Sequence, residues 1–426
     1  MTHDPDSKLR VLIAGGGVAA LEAALALREL AAEKTAVTVI VPNADFVYRP
    51  MTVAEPFSYA AARHYPLAKV VADAGAVLVA DELAWVDPAA QTVHTHGEEA
   101  FEYDALVVAT GAHARARYEH AVTIDDRHMD ETLHGLVEDV EGGYVKSVAF
   151  LSPGRMSWPL PLYELALMTA GRAYHMNIEL AVTIITPEES PLAIFGANAS
   201  DAVTQRLDRL GIEHIGSAYA EVPAAGEVVV NPGDQRLHFE RLVALPELYG
   251  SSIRGLPLVE HGFLRVDPYG RIGGVERVYA AGDAVDFPIK QGGIGSQLAD
   301  VVALAIAKEA GSPVSPTPFD PVIHGMLLTD DKPLYLTAKI TGGHGFSSEV
   351  TDAPTWAPGT KIAARYLAPC LEGLAMEAGR GHPRTLDGDH EDSAELRRGL
   401  PSDRLLASPN GLPPSPCRPP ISPPDG

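Results

Sequence analysis

Residues 10–22 read Arg-Val-Leu-Ile-Ala-Gly-Gly-Gly-Val-Ala-Ala-Leu-Glu, and no other stretch restricts the fold so tightly. The apolar run 10–14 reads as a buried strand, 15–17 as a tight turn, and 19–30, rich in Ala, Leu and Glu, as a helix. Gly15, Gly17 and Ala20 fit G-x-G-x-x-A at a strand-to-helix corner. The first glycine permits the turn, the second lets backbone approach a pyrophosphate, and the small third residue lets the helix pack on the strand. A helix N-terminus adds free N–H groups and partial positive charge. Gly15, Gly16, Gly17, Val18, Ala19 and Ala20 therefore form a candidate phosphate cradle.

At 426 residues and 46% hydrophobic content the chain is long enough for two domains, each with its own core. A formal net charge of −23 argues against nucleic acid as a partner, because phosphate backbones are held by clustered Lys and Arg. No apolar run reaches the ~18 residues of a membrane span, and the segment 1–8 is polar, so neither a span nor a secretory signal is read. The two cysteines, Cys370 and Cys417, offer no disulfide framework and no C-x-x-C pair. The expected address is cytoplasmic, with peripheral contact at a membrane surface left open.

The second strand is expected at 37–41. A dinucleotide fingerprint calls for an acidic residue about 20 positions after the glycines. Val41-Pro-Asn43 stands there instead, so Asn43 or the nearby Asp45 is left to accept from a ribose. Arg49, in the aromatic and basic loop that follows, is a candidate for an anionic ligand group. Alternating strands are expected over 75–93 with a turn at Asp87-Pro88, and an apolar strand over 103–109 ends in Thr110-Gly111. Much later, 277–281 reads as a strand ending in Gly282-Asp283.

The Gly15-to-Ala20 corner, Ala109-Thr-Gly111 and Tyr279-Ala-Ala-Gly-Asp283, in this order, resemble the pyridine nucleotide-disulfide oxidoreductase-type flavoproteins. Within them the chain most resembles the branch of sulfide:quinone oxidoreductases and type II NADH dehydrogenases, over roughly 9–371. The resemblance implies an α/β fold of two Rossmann-like dinucleotide-binding domains with β-hairpin additions. A discontinuous FAD domain, 8–120 and 258–340, would receive an inserted NAD(P)-type domain at 121–257. A flavin-capping segment, 341–376, and a disordered Pro-rich tail, 377–426, would follow. It implies FAD as cofactor, held by the glycine corner, Asn43, Arg49, Thr110, Gly111, Gly282 and Asp283. In the family the aspartate accepts from the ribitol hydroxyls. A helix expected over 296–310 would turn its N-terminus to the flavin, with Lys290 and Gln291 at its approach. Lys290 either favours the anionic reduced ring or is solvated.

The middle segment repeats the strand-helix-strand pattern, with strands at 146–152 and 179–186, helices at 162–170 and 200–210, a hairpin around 231–234 and a returning strand at 242–245. In the family this domain holds NAD(P)H. Here the second glycine fingerprint is degraded: Gly154 stands alone, and Pro153, Pro159 and Pro161 remove backbone donors. Glu164 fits the family's helix position, and Glu188 lies where a ribose carboxylate would sit. Sulfide:quinone oxidoreductases carry a cysteine where Trp158 stands, and tryptophan cannot carry sulfur. Cys370 reads as a lone thiol serving as a small buried hydrophobe.

Strands are expected over 319–329 and 334–340, a flexible loop over 341–345, and a short amphipathic helix over 361–374 near Trp356. The 16 histidines show no metal-ligand spacing, and no Walker A or nucleophile-elbow motif occurs. The expected function is an FAD-dependent oxidoreductase passing electrons from a small-molecule donor, with NAD(P)H open, to a quinone or other small acceptor. No side chain is assigned as catalytic, since direct hydride transfer demands none. The alternatives are a non-catalytic flavin-binding redox sensor and a cysteine-less relative of the sulfide:quinone enzymes.

Overall fold

The computed structural model describes residues 8–154, 158–341 and 344–377. Two five-stranded parallel sheets organise the chain. The first runs in the order Val278–Ala280, Ala105–Val108, Leu9–Ala14, Thr35–Ile40, Val77–Val79. The second runs Val122–Thr123, Arg241–Ala244, Ser147–Leu151, Ala181–Ile185, Glu213–Ile215. In each, the strand that opens the unit is central, its two successors lie on one side and the returning strand lies on the other. The α/β reading with a repeated parallel unit is thus what the chain adopts. These strands read as continuous apolar runs because both faces are covered, so alternation is lost.

The chain leaves the first sheet after Ala105–Val108 and rejoins it at Val278–Ala280. The outgoing and returning connections, Ala112–Arg115 and Glu247–Gly250, pair antiparallel. A three-stranded meander, Leu83–Asp87, Thr92–Thr95 and Ala100–Glu102, follows the first βαβ unit. A second lies in the inserted segment at Tyr219–Ala224, Glu227–Asn231 and Gln235–His238.

Helix Val18–Ala31 packs along helix Gly292–Glu309 over the first sheet. The interface is built of small residues, with Ala19, Ala20, Ala23, Ala299 and Ala303 all buried. The second of these helices begins at Gly292, earlier than the 296 expected, because Gln291 Oε1 accepts from Ile294 N at 3.1 Å and caps it. A side-chain cap offsets the low helix propensity of the glycines.

Three antiparallel strands, Val322–Leu327, Leu334–Thr341 and His344–Thr351, form a late sheet. The third replaces part of the expected loop, whose residues 342–343 lie outside the described residues. This sheet docks on the inserted unit: Ser348 Oγ accepts from Ala199 N at 3.1 Å at the start of helix Ala197–Arg209, and Asp330 meets Arg209 at 2.5 Å. The last helix is Leu367–Glu377, so 361–366 is not helical as expected and Trp356 lies well before it. Its start is set from far away: the Glu22 carboxylate accepts from Tyr366 N at 2.9 Å and Leu367 N at 2.6 Å. Of the tail expected to be disordered over 377–426, Glu377 ends this helix and the rest falls outside the described residues.

Glu22 is fully buried, and Asp300, from the neighbouring helix, faces it. Burial first, then the Glu22 charge, pushes the Asp300 carboxyl up to about 8, while Arg365 opposes the rise. An unfolded aspartate ionises near pH ~4, so over pH ~4–8 the unfolded chain releases a proton that the folded chain retains. Stability then falls as pH rises through that window. D300N, which mimics the protonated form, is expected to be more stable than the unaltered chain by about 1–3 kcal/mol at pH ~8, with the difference closing toward pH ~4. Thermal melts of both proteins across pH check this, and a constant difference would contradict it.

Candidate functional site

At the glycine corner, Gly15 N donates to Ile40 O at 2.9 Å and Ala109 N donates to Ala14 O at 2.8 Å, so the turn lies against the ends of both neighbouring strands. Gly15 sits at φ +126°, and a Cβ there would stand 2.2 Å from Ala109 O. At Gly16 a Cβ would meet Val41 Cγ2 at 2.5 Å. Gly17 is different. Nothing lies within 4 Å of its Cβ position, and it precedes helix Val18–Ala31 without any side-chain cap. The corner is packed on its protein side and open at the helix N-terminus, where Val18, Ala19 and Ala20 carry first-turn N–H groups.

The late strand brings its own turn to this place. Ala281 N donates to Val108 O at 3.1 Å, and Gly282, at φ +73°, approaches so closely that its Cβ would lie 2.9 Å from Ala19 Cβ. A Cβ on Gly295 would stand 3.0 Å from Gly282 Cα. Two helix N-terminal turns and the Gly282-Asp283 turn therefore meet, although 267 positions of sequence separate Gly15 from Gly282. Thr110 and Gly111 continue the strand beside them; Thr110 Oγ1 donates to Ser251 Oγ at 3.1 Å, which donates to Gly111 O at 3.4 Å. Asn43 and Asp45 are exposed beyond the second strand.

Asp283 is partly buried, and its charged neighbours are Lys290, Asp126 and Arg49. Burial lifts its carboxyl above the usual range, Lys290 and then Arg49 oppose the lift, and Asp126 adds to it. Arg49 is exposed and lies 3.6 Å from Asp126. The side chains of Lys290 and Gln291 are engaged with backbone. Lys290 Nζ donates to Asp283 O at 3.0 Å and to Val285 O, and Gln291, besides capping its helix, donates through Nε2 to His324 O at 2.8 Å.

A buried ion pair was not legible in the sequence. Lys361 Nζ lies 2.7 Å from Glu164 Oε1, is 2.8 Å from Oε2, and donates to Pro50 O at 2.8 Å; Leu328 N also donates to Glu164 Oε1 at 2.8 Å. Their side chains are 4% and 0% exposed. Burial raises Glu164 and lowers Lys361, and each partner opposes the other's shift. The pair ties helix Leu160–His175 to the turn Arg49–Phe57 and to the approach of the last helix. Glu164 carried a signal in its Pro-Leu-Tyr-Glu context. Lys361 carried none.

In the inserted unit, helix Leu160–His175 starts after Pro159 with no side-chain cap. Glu188, expected to face a ribose, is turned inward: Tyr163 OH donates to its Oε2 at 2.9 Å, and Thr186 Oγ1 lies at 3.4 Å. Burial pushes Glu188 up to about 7 despite these bonds, and His214 Nε2 stands 3.3 Å from Tyr163 OH. A cavity of about 230 Å³ is lined by Arg117, Tyr118, Gly154, Tyr219, Glu221 and Glu247, and the Tyr219 ring lies where a Gly154 side chain would project. Trp158 is partly buried, with its ring 5.8 Å from that of Phe195. Cys370 is buried as expected, but it is disulfide-bonded, which corrects its reading as a lone thiol.

The corner, the convergent Gly-Asp turn and the duplicated parallel sheets define an α/β architecture of two Rossmann-like units. Residues 9–139 match the family model described as pyridine nucleotide-disulphide oxidoreductase. An NADH dehydrogenase-like protein of Mycobacterium tuberculosis is 26% identical over 296 residues, 64% of this chain and 72% of that relative. The sulfide:quinone oxidoreductase of the hyperthermophilic bacterium Aquifex aeolicus superposes with a TM-score of 0.71 at 20% identity, covering 81% of this chain and 87% of its own. NDH2 of Plasmodium falciparum, solved in complex with NADH, gives a TM-score of 0.53 at 16% identity over 66% of this chain and 65% of its own. At these identities the structural likenesses concern the fold.

Removing one member of the buried pair strands the other's charge. K361M is expected to destabilise the chain by about 3–5 kcal/mol, and the double variant E164Q/K361M to recover most of that loss. Chemical denaturation of the three proteins checks this. Additive losses in the double variant would show that the two side chains do not act as a pair.

Proposed function

We propose that the chain is an FAD-dependent oxidoreductase that takes electrons from a small-molecule donor onto flavin and delivers them to a quinone or another small acceptor. The observation that carries this reading is the meeting of the open helix N-terminus at Gly17 with the Gly282-Asp283 turn. The residues fit the group. Uncapped N–H groups suit a pyrophosphate, and no side chain occupies the space over Gly17. No described residue hydrogen-bonds the Asp283 carboxylate, which is free to accept from ribitol hydroxyls. Gly15 through Ala20 would hold the phosphates, Asn43 the adenosine ribose and Asp283 the ribitol. Arg49, Thr110 and Gly111 would line the same ligand. Bound FAD would supply the two-electron chemistry; the chain's part is to orient it, exclude water and set the charge around it.

NAD(P)H is the donor we infer for the inserted unit from its repeated parallel sheet, with helix Leu160–His175 following strand Ser147–Leu151, although Pro159 and Pro161 leave few N–H groups at that helix start. The family likeness to an NADH dehydrogenase-like protein supports the same donor. Sulfide as donor is disfavoured, because Trp158 stands at the expected cysteine position and tryptophan cannot carry sulfur. No helix among the described residues is long and apolar enough to cross a membrane, so a quinone would be met at a membrane surface or as a water-borne analogue.

Anaerobic mixing with NADH and with NADPH tests the reading. Flavin absorbance is expected to bleach with at least one of them and to return when a water-soluble quinone is added. Persistence of the oxidised spectrum with both donors would favour a sensor role. D283N is expected to weaken FAD binding about 10–100-fold while leaving the chain folded, as measured by flavin fluorescence titration and thermal melting.

A further inference from the structure

Lys290 is a buried cation bonded to the backbone of the Asp283 turn. Its ammonium donates to the carbonyls of Asp283 and Val285 and stands 3.9 Å over the Phe263 ring. Only 5% of the residue is exposed. These contacts cross the base of the turn Gly282–Ala284, whose upper side carries Gly282 against Ala19 and whose tip carries the Asp283 carboxylate. The turn is also held from below, where Leu264 N donates to Ala284 O at 3.0 Å and Asp286 N donates to Leu264 O at 2.7 Å.

We propose that Lys290 is a positioning residue: in its charged form it fixes the Gly282-Asp283 turn for the flavin's ribitol, so that FAD affinity depends on an ammonium held by the backbone carbonyls of that turn. This rests on the FAD reading given above. An ammonium bonded to two carbonyls makes charge-assisted bonds, and each weakens when the charge is lost. The same charge stabilises the ionised Asp283 carboxylate, the form that accepts hydroxyl hydrogen bonds.

The charged and titratable groups around Lys290 are few. Asp283 and Asp286 face it directly, Asp286 being paired with Arg265 at 3.3 Å. Arg49 and Asp126 act on Asp283 from the opposite side. Burial depresses the ammonium to about 8, against the pull of the two aspartates. Proton and flavin binding are reciprocally linked if the holo form needs the ammonium. Affinity is then full below pH 8 and declines as pH rises through it.

Titrating the flavin-stripped full-length chain with FAD, from about pH 6.5 to about pH 9.5, tests the proposal. The unaltered protein is expected to lose about tenfold in affinity over the upper half of that range. K290M is expected to bind about tenfold more weakly at neutral pH and to show no break near 8. K290R, whose guanidinium stays charged, is expected to bind within about threefold of the unaltered chain, also without the break. A purely structural lysine would not produce a pH break that vanishes in K290R. A flat profile in the unaltered chain, or K290M binding as tightly as the parent, overturns the proposal while leaving the FAD reading intact. Failure of the unaltered chain to bind FAD at any pH overturns both. Should K290M not fold, the profiles of the parent and K290R decide.

Discussion

Close backbone approach at one point controls the whole arrangement. The turn at Gly15, the start of helix Val18–Ala31, the turn at Gly282 and the first turn of helix Gly292–Glu309 are packed so tightly that a single added methyl at Gly15 or Gly282 would intrude on backbone or on Ala19. Such packing is possible only where side chains are absent or are alanine. Its consequence is electrostatic. It sets helix N-termini and an aspartate around one opening, where the N–H groups suit phosphate and the carboxylate suits hydroxyls. The small-residue interface between the two helices extends this geometry into the core, so the site is carried by rigid elements.

Around that point the structure places charge sparingly and pairs it. Glu22 spends its carboxylate on the N-terminus of the last helix, Lys361 and Glu164 neutralise each other, and Asp330 is held by Arg209 with His175 at 3.6 Å. Each links segments far apart in the chain. A buried pair of this kind adds little net stability, but it makes alternative packings costly, because any displacement leaves a charge unpaired. In this way the last helix is fastened to helix Val18–Ala31, Lys361 to helix Leu160–His175, and the late sheet to helix Ala197–Arg209.

The glycine corner, Thr110-Gly111 and Gly282-Asp283 were legible because their signals are local: a glycine demanded by a turn sits beside the strand and helix that the turn joins. The duplicated sheet was legible for the same reason, each βαβ unit repeating its own pattern. The start of helix Gly292–Glu309 was misread because propensity argues against Gly292, Gly293 and Gly295, whereas the Gln291 cap and the approach to Gly282 demand them. The last helix was placed too early because its true start is dictated by Glu22, 344 positions away. Lys361 had no signal at all, since its partner lies 197 positions distant and no periodicity connects them. Glu188 stood at the expected strand end, but only the structure shows Tyr163 drawing it inward.

The central claim is that two distant turns close on one FAD. Its most direct test is the flavin content of the purified full-length protein, measured by releasing cofactor with heat and quantifying it against chain concentration. The account predicts a yellow protein that carries, or takes up from added cofactor, one FAD per chain. A colourless protein that does not retain FAD when it is supplied in excess would contradict it.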